Sequence, residues 1–166
     1  VKVLDPSGEF AGVSGGIDRS GRLSVKKEDG TVVLNQENRY NGEGQRIRKE
    51  ETKGTENRVR NYYYQDGSVL YTTDGANQRD SFNLLGREDN VIATARGAES
   101  SETWYLYNKD VRGSTSSLID EGGTATAAYE YDAFGNTTAR IGEDFDNEIC
   151  YTGQVYDKES GQYYYN

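Results

Sequence analysis

The chain has 166 residues, 28 acidic against 19 basic, and a net charge of −9, an acidity that argues against nucleic acid and anionic membrane surfaces as partners. It has no histidine and one cysteine, Cys150, which excludes Ser-His and Cys-His catalysis, His-ligated or multi-Cys metal sites and an intrachain disulfide. Hydrophobic residues make up 33%, with 20 glycines and 14 tyrosines against one proline, so apolar burial must come largely from tyrosine rings on strands joined by glycine turns. No stretch approaches the roughly 18 apolar residues of a membrane helix, and there is no signal peptide. The absence of methionine marks the sequence as an internal fragment or a processed product.

A short phrase recurs along the chain: an apolar residue or Tyr, then Asp or Asn, two variable residues and Gly. It reads Ile17-Asp18-Arg19-Ser20-Gly21, Tyr40-Asn41-Gly42-Glu43-Gly44 and Tyr131-Asp132-Ala133-Phe134-Gly135, with weaker copies at Leu4-Asp5-Pro6-Ser7-Gly8 and Asp110-Val111-Arg112-Gly113 and a stretched one from Tyr156-Asp157 to Gly161. The steps between the Asp or Asn positions are 13, 23, 69, 22 and 25 residues, and 69 is three times 23. A repeat of this length signals a stacked or spiralling structure. Asp or Asn opens a turn by accepting a backbone hydrogen bond from two residues on, and Gly supplies the positive φ that reverses the chain. Each copy therefore predicts strand, tight turn, strand.

Between these copies, strand patterns follow one another. Glu28-Asp29-Gly30-Thr31 before Val32-Val33-Leu34 predicts a hairpin turn, and Thr52-Lys53-Gly54 another break. The clearest hairpin joins Arg58–Tyr64 to Ser68–Thr73 through Asp66-Gly67, and Asp74-Gly75 breaks the chain again. Short apolar runs then predict strands at Phe82–Leu85, Val91–Arg96 and Trp104–Tyr107, and further strands at Thr115–Ile119, Thr126–Tyr131, around Ile149-Cys150-Tyr151 and at Gln162–Tyr165. No segment keeps helical spacing with capping signals; the best helical candidate is one turn near residues 114–119. The pattern predicts an all-β, antiparallel, continuous structure of roughly a dozen short strands.

The segment Tyr105-Leu106-Tyr107-Asn108-Lys109-Asp110-Val111-Arg112-Gly113-Ser114 resembles the "D-x-x-G-S" signature of the Rhs-associated core. Tyr129-Glu130-Tyr131-Asp132-Ala133-Phe134-Gly135-Asn136 is similar to that core's "Y-x-Y-D-x-F-G-N". Tyr151-Thr152-Gly153-Gln154, and the stretch from Tyr156 to Asn166, resemble its "F-T-G-Q" and "D-x-E-T-G-L-Y-Y". Upstream, Ile17–Leu23 and Tyr40–Ile47 are similar to YD (Rhs) repeats. The resemblance implies YD repeats over residues 1–104 and an Rhs-associated core segment over 105–166. It implies a long antiparallel sheet wound into part of a spiralling, hollow β-shell. In bacterial polymorphic toxins and insecticidal toxin complexes such a shell encloses a variable C-terminal toxin domain. The implied partners are that toxin domain and the remainder of the shell, and the implied setting is secretion or the cell surface of a bacterium. The family's aspartate-dependent self-cleavage residues follow the segment matched here, so no enzymatic role and no cofactor are expected. As a strip with open sheet edges, the chain is also expected to self-associate.

Several groups of residues could carry chemistry. The repeat-turn residues Asp18, Gly21, Asn41, Gly44, Asp110, Gly113, Asp132, Gly135, Asp157 and Gly161 are read as structural, setting the curvature of the sheet. Asp132 and Asp157 would be the carboxylate pair of a hydrolase, but their equivalent repeat positions point to turns. The acidic run Glu143-Asp144-Phe145-Asp146-Asn147-Glu148 could hold Ca²⁺; lacking the glycine and spacing of an EF-hand, it reads as a solvated loop tip. Tyrosine runs 62–64 and 163–165 suit a core or lumen lining, or alternatively a carbohydrate-binding adhesion surface. Cys150, among strand-like neighbours, reads as a buried, inert thiol.

Overall fold

A computed structural model describes residues 2–5, 8–11, 13–17, 19, 22–27, 29, 32–97, 100–142 and 144–165. The first two strands, β1 (Lys2–Asp5) and β2 (Gly8–Ala11), form a separate hairpin. Asp5 pairs with Gly8 at its end, and Pro6 and Ser7 lie outside the described residues. The body is one sheet of 12 strands. In chain order these are β3 (Val13–Ile17), β4 (Arg22–Lys26), β5 (Val32–Tyr40), β6 (Arg46–Lys53), β7 (Glu56–Gln65), β8 (Ser68–Thr73), β9 (Arg79–Leu85), β10 (Val91–Arg96), β11 (Thr103–Lys109), β12 (Thr115–Asp120), β13 (Ala125–Tyr131) and β14 (Thr137–Ile141). Each pairs antiparallel with the strand before and after it in sequence. A last small hairpin joins β15 (Val155–Asp157) to β16 (Gln162–Tyr164).

The 23-residue rhythm has a direct geometric cause. One strand out, a turn, one strand back and a second turn return the chain to the same rim of the sheet. The turns at Asn41–Gln45, Asp66-Gly67, Gly86–Asn90, Asp110–Ser114 and Asp132–Asn136 all lie on one rim, because each follows an odd-numbered strand. The 69-residue step thus spans two rim positions built with other turns. At Asp66-Gly67 both residues have positive φ, 49° and 91°, the two-residue hairpin turn that matches strand twist.

The two faces of the sheet differ. Successive side chains alternate between them, and the register places Leu34, Gln36, Lys49, Arg60, Tyr62, Thr94, Tyr107, Leu118 and Ala127 on one face, all buried. That face is covered by residues 144–165, which leave β14 and cross back over the sheet as a strap. The main apolar core lies between the two: Tyr62, Val69, Val91, Tyr107, Leu118 and Ala127 from the sheet pack against Ile149 and Val155 of the strap, with Phe145 and Tyr164 at its borders.

Three local expectations are corrected. Residues 115–120 are strand β12, as the strand pattern at Thr115–Ile119 predicts, and the helical turn does not form; Thr115 and Leu118, three residues apart, are both buried on the covered side because a bulge shifts the register at Asn108 and Lys109. Tyr151–Gly153 is a short 3-10 turn, with Ile149 making only an isolated bridge to Val155, because the chain must bend there to re-enter the small hairpin. The acidic run is the largest correction, and it leads to the site below.

Candidate functional site

The strap is held by a cluster of buried charges. Arg46, Lys49 and Arg60 project from β6 and β7 into the covered face, each almost fully buried. Lys49 and Arg60 sit directly opposite each other across the β6–β7 ladder, an arrangement that repels unless an anion comes between. Glu148 of the strap supplies it, with Oε1 2.7 Å from Lys49 Nζ and 2.9 Å from Arg60 Nη1. The Tyr62 hydroxyl donates to the same carboxylate at 3.0 Å. Burial alone would raise the Glu148 carboxyl, but Arg60 and Lys49 outweigh it and hold it well below the usual carboxylate range.

Asp157 is the second hub. Its Oδ2 accepts hydrogen bonds from Arg46 Nη1 at 2.6 Å and Gln36 Nε2 at 3.0 Å, and its Oδ1 one from Lys49 Nζ at 3.1 Å. The Arg46 guanidinium, 1% exposed, lies between the rings of Tyr62 and Tyr164, 4.9 Å from each centroid. Burial works to lower its pKa, and Tyr62 and Asp157 more than reverse that. Tyr164 fastens the end of the strap: its hydroxyl donates to the Gly44 carbonyl at 2.8 Å and accepts from the Arg46 backbone N–H at 3.0 Å.

The charges in this cluster balance. Three cations, Arg46, Lys49 and Arg60, face the carboxylates of Asp146, Glu148 and Asp157, and Arg60 reaches Asp80 as well, at 2.6 Å. Arg58 also pairs with Asp146 at the cluster's rim. A further carboxylate, Glu51, lies 3.2 Å from Lys49 Nζ, yet its Oε1 makes no hydrogen bond. Burial pushes Glu51 up to about 7, against the pull of Lys49, so near neutral pH it carries only part of a negative charge.

Farther along, the strap is held by backbone and amide contacts. The Tyr107 hydroxyl donates to Asn147 Oδ1 at 2.8 Å, and Thr115 donates through Oγ1 to the Ile149 carbonyl at 2.6 Å and through N–H to the Cys150 carbonyl at 3.1 Å. Phe145 meets Tyr105 edge-on at 4.8 Å. Asp144 is an exposed turn residue, but the stretch 145–148 is not a solvated loop tip. Glu143 lies outside the described residues; Phe145 packs on the core, Asp146 pairs with arginines, and Asn147 and Glu148 are held against the sheet by Tyr107 and Lys49. Cys150 is fully buried, and burial pushes its thiol up to about 12.

The repeat-turn residues occupy two kinds of place. At Asn41, Asp110 and Asp132 the side-chain Oδ1 accepts N–H bonds from two and four residues on, at 2.8–3.0 Å. The carbonyls of these residues accept from Gly44, Gly113 and Gly135, whose φ values are 84°, 82° and 85°. Asp74 and Asp120 build the same bonds on the opposite rim. In the stretched copy the Asp157 carbonyl takes Gly161 N–H at 2.8 Å, which frees the carboxylate to enter the charge cluster. Asp18 and Gly21 lie outside the described residues. Asp132 and Asp157 do not form a working pair: the first is spent on its own exposed turn, the second on Arg46 and Lys49.

The cations of β6 and β7 are the residues that sequence reasoning missed. Their signal was the pairing of Lys49 with Arg60 on one face, visible only once the register is known. The tyrosines are mostly committed. Tyr62 and Tyr164 bracket Arg46, and Tyr163 packs beside Tyr151 and Tyr156. Tyr63 stacks on Tyr71 at 4.3 Å and 10°, which covers one face of each ring.

No family model matches the chain. It is 32% identical over 130 residues to the tRNA3(Ser)-specific nuclease WapA of Bacillus spizizenii, covering 76% of this chain and 5% of that protein. The match to the tRNA nuclease WapA of Bacillus subtilis strain 168 has the same identity and extent. The chain thus spans about 5% of the length of the curated relatives it matches. In fold it is similar to the crystal structure of TcdB2-TccC3-Cdc42, with a TM-score of 0.62 at 17% identity over 93% of this chain and 8% of that one. It is likewise similar to that of TcdB2-TccC3-TEV, with a TM-score of 0.60 at 18% identity over 90% of this chain and 8% of that one. The chain is an all-β, antiparallel structure that shares its fold with a stretch of the TcdB2-TccC3 structures and its sequence pattern with a stretch of WapA nucleases.

Proposed function

We propose that the chain is a structural, non-catalytic segment of an Rhs-type β-shell, a piece of wall that encloses or presents a C-terminal toxin domain. One observation carries the reading: twelve consecutive antiparallel strands have one face lined, almost from end to end, by the chain's own strap through a charge-balanced buried cluster. Such a sheet makes a barrier. Among the described residues the buried carboxylates Asp157 and Glu148 are engaged with cations, and Glu51 is sealed beside Lys49. The likeness to toxin nucleases in sequence and to the TcdB2-TccC3 structures in fold supports a toxin-associated role. On this reading YD repeats over 1–104 pass without a break into the core segment 105–166, the division falling inside β11. The turn residues Asn41, Gly44, Asp110, Gly113, Asp132 and Gly135 would set the sheet's curvature, joined by Asp18 and Gly21. Secretion or a bacterial surface location goes with the same role; among the described residues no helix is long and apolar enough to cross a membrane. Electron microscopy and limited proteolysis of the natural protein that carries this sequence test the proposal. A hollow β-walled particle with a protease-protected domain inside is expected. A solid particle, or a domain cleaved as fast as the free one, refutes it.

A further inference from the structure

The face opposite the strap breaks the usual rule that the solvent side of an antiparallel sheet is polar. Tyr63 pairs with Tyr71, Tyr71 with Phe82, Phe82 with Ala95 and Ala95 with Trp104, so one cross-strand row on this face is aromatic apart from a single alanine. The next row runs Leu84, Ala93, Leu106. Phe82 and Trp104 meet edge-to-face at 6.3 Å over Ala95, so the patch is a packed, ridged surface rather than a set of loose side chains. Tyr63 is 38%, Leu84 47% and Leu106 62% exposed, and Tyr71, Phe82 and Trp104 are half-buried. Together these six leave on the order of 400 Å² of apolar surface, the size of the largest patch on a typical monomer, which is often functional.

We infer that this face docks against the same face of a second copy of the chain. The area argues for it. A standard interface needs roughly 800 Å² per partner, about 65% apolar in a homodimer, and the patch supplies most of that apolar share. Shape argues the same way, since two ridged sheet faces interdigitate. The charges bordering the patch fit too. Arg79, whose guanidinium lies 5.6 Å from the Phe82 ring centroid, pairs with Glu102, and Glu50 pairs with Arg48 on the strand beside Tyr63, so these charges are neutralised within their own chain and two copies meet without stacking like charges. A carbohydrate would need free ring faces, and Tyr63 and Tyr71 each cover one of theirs against the other. This contact is distinct from pairing at the sheet edges, and it does not depend on the shell reading.

The test uses light scattering after gel filtration, together with acrylamide quenching of Trp104, the single tryptophan, over a range of protein concentrations. The expected result is a dimer in which Trp104 becomes less quenchable as concentration rises. Added salt should strengthen it, since screening two chains of charge −9 favours an apolar contact, whereas a basic partner would be released. Leu106→Lys should weaken the dimer at least about tenfold with an unchanged circular dichroism spectrum; Leu84→Lys serves if that variant fails to fold. A monomer at about 100 μM, far above the working range of a standard interface, overturns the inference. So does a dimer that survives both substitutions or leaves Trp104 equally quenchable, which would place the contact at a sheet edge.

Discussion

Removing the Asp157 carboxylate should unseat the strap. Asp157 is the carboxylate that neutralises Arg46, which is 1% exposed, and it shares Lys49 with Glu148. In Asp157→Ala the buried Arg46 loses the carboxylate it is paired with, Lys49 keeps only Glu148 and Glu51, and Gln36 Nε2 loses one of its two acceptors. Breaking a buried pair from one side costs about 3–5 kcal/mol. For a chain of this size each kcal/mol lowers Tm by roughly 2–4 °C, so a fall of about 10 °C is expected. Thermal unfolding followed by circular dichroism measures it. Hydrogen exchange should show the strap amides of Tyr156 and Gly161 opening before those of β6 and β7. Adding Arg46→Met should recover part of the loss, because the double change removes both members of the pair. A Tm shift under 2 °C with unchanged exchange in the strap would refute the view that this cluster holds it.

Stability should depend on pH in two opposed windows. Glu51 has a folded-state pKa raised by burial from 4.5 to about 7, so its contribution is fully present below pH 4.5 and is lost as pH rises through 7; Glu51→Gln should flatten denaturation midpoints between pH 5 and 8. Glu148 has a depressed carboxyl, so its contribution is present above about 4.5 and fades in stronger acid; Glu148→Gln should remove that acid dependence. Gly135→Val should lower stability by more than Gly44→Ala, which at φ 84° costs about 1–2 kcal/mol. A side chain at 135 also meets the Tyr151 ring at 2.9 Å, while the space at 44 is open, and equal urea midpoints for the two variants would sink that ranking. Cys150 should react with a thiol reagent only at the rate of unfolding, and fast labelling of the native protein would contradict its burial.

Much of the sheet was legible because its information is local. The alternation in Arg58–Tyr64, the Asp66-Gly67 turn and the spaced Asp and Gly residues each act within a few residues, and a meander needs nothing longer-ranged. The strap was illegible for the converse reason. Asp146 and Glu148 look like solvent-facing charges until Arg60 is placed beside them, 86 residues and more away in sequence. In β6 the usual code is even inverted: Ile47 faces water while Arg46 and Lys49 are buried. Hydrophobicity alone assigns that strand the wrong face, and only the register to β7 corrects it. The stretched turn at Asp157 misled similarly, since the extra residues that seem to spoil the repeat are what free its carboxylate.

The strictly consecutive strand order also bears on how the chain folds. Within the sheet every pairing joins neighbours in sequence, so loop-closure costs are small and the array can assemble progressively, strand by strand, as it emerges from synthesis. The contacts of Asp157 with Gln36 and Arg46 span 121 and 111 residues and can form only after both ends of the meander exist. Arrays built from near-neighbour contacts tend to melt piecemeal. The late closing of the strap ties strands near the start of the sheet to those near its end, and would convert a string of semi-independent hairpins into a single cooperative unit.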